Sequence, residues 1–304
     1  MIDRIGIGLA ALLCLAPSPT SDAVAHGALP SEPPVARQGA DSPDKTLPAP
    51  VGLSLFREVV FYDMYAPTVD EPFDPELVRH NNTLYATRLD GGALDSVQNT
   101  LTAYVFLGAL CDNYDRLAGV FLSMVPKGAK TYAPGEVERI EIARFITPFM
   151  DCNRSVEPVP YEFELDHLVP VLKDRALRAD HDLWIEFNVE GVPYAANKEI
   201  AGCEGRNDVF WGILELSSDS SAPAADFDVL IPLATRAPFN NYKEGASDEV
   251  GTTRKTLRFE LERETEETQL VLITSNHGAN AGGEEYNRRD HFVLVDGEEV
   301  HAYK

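Results

Sequence analysis

Between Thr274 and Gly297 the chain reads TSNHGANAGGEEYNRRDHFVLVDG, a glycine-rich loop running into a segment with strand composition. Within 15 positions this stretch collects His277, Glu285, Tyr286, Arg288, Arg289, Asp290 and His291, with Glu284 beside them. Carboxylates and an imidazole can exchange protons with a reacting group, and an aromatic face can pack on a flat ligand. Long loops set between strands are where rigid β-frameworks carry binding residues. The same residues also read as a backbone-bonded His-Gly turn and a solvated acidic tip. A second cluster, CDNYDRLAGVFL (111–122), sets Asp112, Asp115 and Arg116 before an apolar run. It fits a catalytic carboxylate, and equally an acidic turn with Asp115 paired to Arg116 or capping a backbone N–H. A third, RFITPF (144–149), places Arg144 and Thr147 around apolar positions and also suits an edge strand ended by Pro148.

Other chemistries lack a pattern. His277, Glu285, Asp290 and His291 include ligand types, but their spacing matches no zinc or non-haem iron signature, so no metal is expected. There is no G-x-S-x-G for a nucleophilic serine, and no P-loop or dinucleotide fingerprint for a nucleotide. The net charge of −23 over 304 residues argues against nucleic acid and against an anionic membrane surface.

The elements that must position these residues are short and strand-like. A first group comprises 101–110, 117–125, 141–149, 161–165, 183–189 and 209–216. A second comprises 227–233, 256–262, 268–274 and 291–295. Several alternate apolar and polar residues with period 2, as half-buried antiparallel strands do. The best helix candidate is 166–177, limited by Pro170. Many short strands with frequent turns predict an all-β protein of sandwich or jelly-roll type. Hydrophobic content of 44% supports an ordinary core.

The run SSDSSAPAAD (217–226) is the best domain boundary. At the N-terminus, IGIGLAALLCLA followed by Ala23–Val24–Ala25 reads as a cleaved signal peptide over 1–25. Residues 26–51, rich in Pro, Ala and Ser, read as a disordered tether. The expected location is therefore secreted, periplasmic or cell envelope, with no membrane insertion after cleavage. Cys111, Cys152 and Cys203 then remain, of which two can pair in an oxidising compartment; the spacing does not say which.

Taken in order, CDNYDRLAGVFL, IARFITPF, FELDHLVPVL, FDVLIPL and ITSNHGANAGGEEYNRRDHFVLVDG resemble the bacterial peptide-N-glycosidase F family, from about Leu53 onward. The resemblance implies two adjacent jelly-roll-like antiparallel β-sandwich domains, here over 52–220 and 221–304, with the active site in the cleft between them. It implies hydrolysis of the amide that links N-acetylglucosamine to asparagine, without a cofactor or metal, on an N-linked glycan or glycopeptide. It places Asp115 and Glu285 as the catalytic carboxylates, and Arg116, His277 and Tyr286 as residues lining the sugar-binding cleft. The third acidic position of the family falls ambiguously on Asn188 or Glu190. Gly283 and Asn287 stand near positions where the family has a pair of cysteines. The second domain is expected to be short, with a partner as one way to complete it. A non-catalytic relative that binds glycan or glycoprotein is the alternative expectation.

Overall fold

A computed structural model of the chain describes residues 7–15 and 237–239 as backbone, and residues 51–155, 157–225, 227, 229–236, 254–261, 268–275 and 290–304 with their side chains. The strands are β1 (Ile7–Leu15), β2 (Val51–Tyr62), β3 (Val78–Asn81), β4 (Leu84–Arg88), β5 (Thr102–Ala109), β6 (Leu117–Pro126), β7 (Glu138–Ile146), β8 (Val159–Glu164), β9 (His181–Val189), β10 (Asp208–Ser218), β11 (Val229–Phe239), β12 (Thr268–Ser275), β13 (His291–Val295) and β14 (Glu298–Tyr303). Among the described residues four short α-helices intervene: α1 (Gly91–Ser96), α2 (Val169–Lys173), α3 (Arg175–Asp180) and α4 (Ala196–Glu199). Among the described residues no helix is long and apolar enough to cross a membrane.

The protein is all-β, as expected. A four-stranded antiparallel sheet, β2-β10-β5-β8, faces a five-stranded one, β3-β4-β9-β6-β7. The pleat decides which residues meet between them. On β9, Leu183, Ile185, Phe187 and Val189 enter the core, while Trp184, Glu186 and Asn188 lie on the other face, buried there by different neighbours. Phe187 anchors an aromatic cluster, with ring centroids 5.1 Å from Phe61 and 5.6 Å from Phe56. Burying each such ring stabilises by about 1.5–3 kcal/mol. Gly212 on β10 makes this possible, since a Cβ there would lie 2.7 Å from the Phe187 ring.

Two further sheets are described: β11-β1-β12, which joins the N-terminal strand to two C-terminal ones, and the hairpin β13-β14. The residues read as the apolar core of a leader thus form the middle strand between β11 and β12. The hairpin turns at Asp296–Gly297, both with positive φ (51° and 90°), as a two-residue Asp-Gly turn requires. Tyr303 Oη donates to Thr274 Oγ1 at 3.1 Å and joins the hairpin to β12.

Two local expectations are corrected. Residues 166–177 are not one helix but a 3-10 turn followed by α2 and α3, because Pro170 sits in the first turn of α2 and Asp174 caps α3. The Asp174 side chain accepts from the N–H groups of Ala176 and Leu177, which starts a new helix where the first stops. The predicted strand at 256–262 has no strand over its described part, 256–261. Alternation makes a strand only where an edge is available to pair with, and there Leu257, Phe259 and Leu261 are exposed.

The polar side of β9 is heavily bonded. Glu186, fully buried, accepts from Ser123 Oγ at 2.6 Å and Tyr132 Oη at 2.7 Å, and pairs with Arg139. Burial, then the Glu186 carboxylate, raises the Tyr132 phenol well above its ordinary value. His80 stacks edge-on against Tyr132 at 4.7 Å. Burial lowers the His80 imidazole below 6.5, against the opposing pull of Glu186, and lowers His167 likewise. The folded state then binds fewer protons than the unfolded chain below pH 6.5. Their contribution is complete above that pH and is lost as pH falls toward the folded values. The urea midpoint should drop between about pH 7.5 and about pH 5.5, and replacing both histidines with Gln should flatten that slope. A parent midpoint that does not move over this window would contradict the assignment.

Candidate active site

The Asp115 turn is built from the top of β5. Leu110 and Cys111 continue the pairing with β10 through their N–H groups, to Val209 O and Asp208 O, both at 3.0 Å. Cys111 is then tied to Cys203 by a disulfide, which answers the open question of pairing and leaves Cys152 as a thiol packed against the same small cluster. Such a bond over a separation of 92 residues contributes about 2–4 kcal/mol and pins the start of the turn.

Asp112 organises the rest of the turn. Its side chain, fully buried, accepts from Tyr114 N at 3.0 Å and from Val192 N at 2.7 Å. It also takes a two-pronged ion pair from Arg116, Nε at 2.6 Å and Nη2 at 3.1 Å. Burial pushes the Asp112 carboxyl above the usual range, and the Arg116 hydrogen bonds and charge pull against that. Arg116 is thus ion-paired with Asp112, four residues back, and the Asp112 side chain also accepts from backbone N–H groups of this turn.

The far side of the turn is held by Thr147, also fully buried. Arg116 N donates to Thr147 Oγ1 and Thr147 N donates to Arg116 O, both at 2.8 Å. This is why RFITPF stands near CDNYDR in space: the end of β7 clamps the residue after Asp115. Asp115 itself is 8% exposed, between two residues whose backbones are both fixed. Around it stands an aromatic rim. Tyr114 and Phe149 are 42% and 55% exposed, their rings 5.7 Å apart, and the Arg116 guanidinium lies 5.5 Å from the Tyr114 ring. A carboxylate in a rigid, partly desolvated turn beside exposed aromatic faces can take a proton from water and offer a surface to a ring-shaped ligand.

Residues 188 and 190 arrive from the end of β9. Asn188 is buried and donates through Nδ2 to Thr83 O at 2.9 Å and Thr83 Oγ1 at 3.1 Å. Glu190 N donates to Leu117 O at 3.0 Å, so Glu190 sits beside the chain two residues past Asp115. Its carboxylate pairs with Arg236 of β11. Arg144 pairs at 2.7 Å with Glu141, both almost fully buried. The structure therefore brings together Asp115, Arg116, Thr147 and Glu190. His277, Glu285 and Tyr286 lie outside the described residues.

Sequence reasoning missed the organising role of Asp112, the Glu141–Arg144 pair and Arg236. Each acts through a partner far along the chain or on another sheet, and only Asp112, within a cluster already singled out, carried a local signal. Comparison with known families adds two findings. Residues 53–205 match the model described as Peptide-N-glycosidase F, N terminal, and residues 242–304 match Peptide-N-glycosidase F, C terminal. No curated protein matches the chain.

Proposed function

Because the chain belongs to the peptide-N-glycosidase F family, whose members are glycan-releasing amidases acting on N-linked glycoproteins, we propose that it is an exported enzyme that hydrolyses the N-acetylglucosamine–asparagine amide. The observation that carries this reading is the Asp115 turn: a buried carboxylate held by a disulfide, a bidentate ion pair and a threonine clamp, beside exposed aromatic rings. Asp115 takes a proton from water as the water oxygen adds to the amide carbonyl carbon. The carbon–nitrogen bond breaks, the proton passes to the leaving nitrogen, and the peptide keeps an aspartate. On this reading Glu285 orients water and sugar, Tyr286 packs on the sugar ring, and Arg116 and His277 line the sugar-binding cleft. None of these steps needs a metal or cofactor.

The chain is divided, on this reading, into a leader (1–25), a tether (26–51) and two units (52–220 and 221–304). The Cys111–Cys203 disulfide supports export, since such bonds persist in oxidising compartments. Cleavage after Ala25 removes β1 and leaves the edges of β11 and β12 open to a strand from a partner.

A second reading, glycan binding without turnover, draws on Asn188: an amide rather than a carboxylate lies buried at one of the two candidate third-acid positions. Mature protein and an Asn-linked glycopeptide in oxygen-18 water separate the two. An aspartyl peptide carrying the heavy oxygen establishes the amidase. An unchanged glycopeptide, from protein verified as folded, overturns it in favour of binding.

A further inference from the structure

We propose that Arg236 is a positioning residue, a latch that holds β11 against the Asp115 turn through Glu190 and Glu141. The inference rests on the amidase reading and extends it to a residue outside the expected site. Backbone geometry supplies the first observation. Opposite β1, the register of β11 steps from Ala234 to Ala237 while β1 advances only from Ala11 to Leu9, so one extra residue is inserted at 235–236. Arg236 stands in this bulge with φ of 49°, a left-handed conformation that costs any residue with a Cβ. Bulges re-aim side chains, and strain of this kind persists only where surrounding contacts hold it.

Among the described residues, the contacts that hold it come from β7 and from the end of β9. Arg236 N donates to Glu141 Oε2 at 2.8 Å. Its guanidinium pairs with Glu190 and reaches Asn188 Oδ1 at 3.4 Å. Thr235 Oγ1 lies 3.4 Å from Arg139 O. Glu141 is fixed in turn by Arg144, and the side chains of that pair are 2% and 4% exposed. Gly119 keeps the space above the pair open: a Cβ there would lie 3.0 Å from Ala143 O and 3.6 Å from Glu141 Oε1. An unpaired charge this deep is strongly disfavoured, so Glu141 holds its place and offers its second oxygen to the Arg236 N–H.

Glu190 links this latch to the chemistry. Its N–H is bonded to Leu117 O, two residues past Asp115. Arg236 therefore grips the segment that backs the turn. Both β11 and β12 pack against β7, and β12 ends at Ser275, two residues before His277 in sequence. One arginine thus ties β11 to the strands that back the Asp115 turn, β7 and the end of β9. An arginine fork suits this better than a lysine, because it satisfies Glu190 and Asn188 together while its backbone serves Glu141.

Arg236→Gly and Arg236→Lys test the latch with the full chain, which keeps β1, on an Asn-linked glycopeptide. Glycine accepts the positive φ and keeps the N–H bond to Glu141, so it deletes only the guanidinium. For Arg236→Gly we expect kcat to fall roughly tenfold or more with KM little changed, and Arg236→Lys to recover part of it. Thermal unfolding and hydrogen exchange at 114–117 and 138–146 are read alongside. Faster exchange at 114–117 with a retained unfolding midpoint supports positioning. A wild-type kcat in the glycine variant, or a loss explained by unfolding at the assay temperature, overturns it. If the parent itself releases no glycan, the amidase reading fails instead. Exchange then decides the latch alone, with unchanged protection in Arg236→Gly counting against it.

Discussion

Replacing Asp115 with Asn should abolish glycan release while leaving glycopeptide binding and the fold in place. The side chain keeps its shape, and the residues on either side are held by other groups: Tyr114 N by Asp112, Arg116 N by Thr147 and the Arg116 guanidinium by Asp112. Losing a positioned base costs about 10²–10⁴-fold in turnover, and an amide nitrogen cannot accept the proton. The expected pattern is a collapse of kcat with KM or binding affinity within about threefold. Aspartyl peptide from the variant at the parental rate would remove Asp115 from the mechanism. Equal loss of binding and turnover would instead make it a substrate contact.

How far the sequence anticipates this structure depends on the range of each signal. β9 is legible because Leu183, Ile185, Phe187 and Val189 keep strict alternation over a whole strand. β2 is not, although it is the longest of the strands. Its core residues Phe56, Val59 and Phe61 are spaced three and then two apart, because a bulge at Glu58, with φ of 50°, breaks the period. The hairpin β13-β14 carries a readable signal, Asp-Gly directly after an apolar run, that strand composition alone passes over. In the site, CDNYDR and RFITPF stand out separately by local composition. Their mutual clamp through Arg116 and Thr147 is a contact across 31 positions that no local pattern encodes. The Glu190–Arg236 pair spans 46 positions and depends on the bulge in β11. Residues 188 and 190 look interchangeable in sequence and share a face of the pleat, and their surroundings separate them: Asn188 is buried against Thr83, whereas Glu190 follows the end of β9 and pairs with Arg236.

Asp112→Ala should be the most destabilising single change in this turn, about 3–5 kcal/mol. The Arg116 guanidinium, with 12% of its side chain exposed, would lose both prongs of its ion pair. The N–H groups of Val192 and Tyr114 would lose their acceptor at the same time. Asn is no conservative replacement here. Each Asp112 oxygen accepts two hydrogen bonds, one from a backbone N–H and one from Arg116, so either orientation of an amide points its own donors at two others. Asp112→Asn should therefore cost about 2–4 kcal/mol, which urea unfolding would read. Adding Arg116→Met to Asp112→Ala should recover part of the loss, because an apolar side chain leaves no orphaned charge, though the two backbone donors stay unmet. The Asn variant separates two roles for Asp112. If it only holds the turn, turnover in Asp112→Asn should fall in step with stability and be partly restored by cooling. If it also moves protons, turnover should vanish at temperatures where the variant is fully folded and still binds glycopeptide. The four donors converging on its two oxygens favour the first outcome, since they leave the carboxylate little capacity to take a proton from substrate or water.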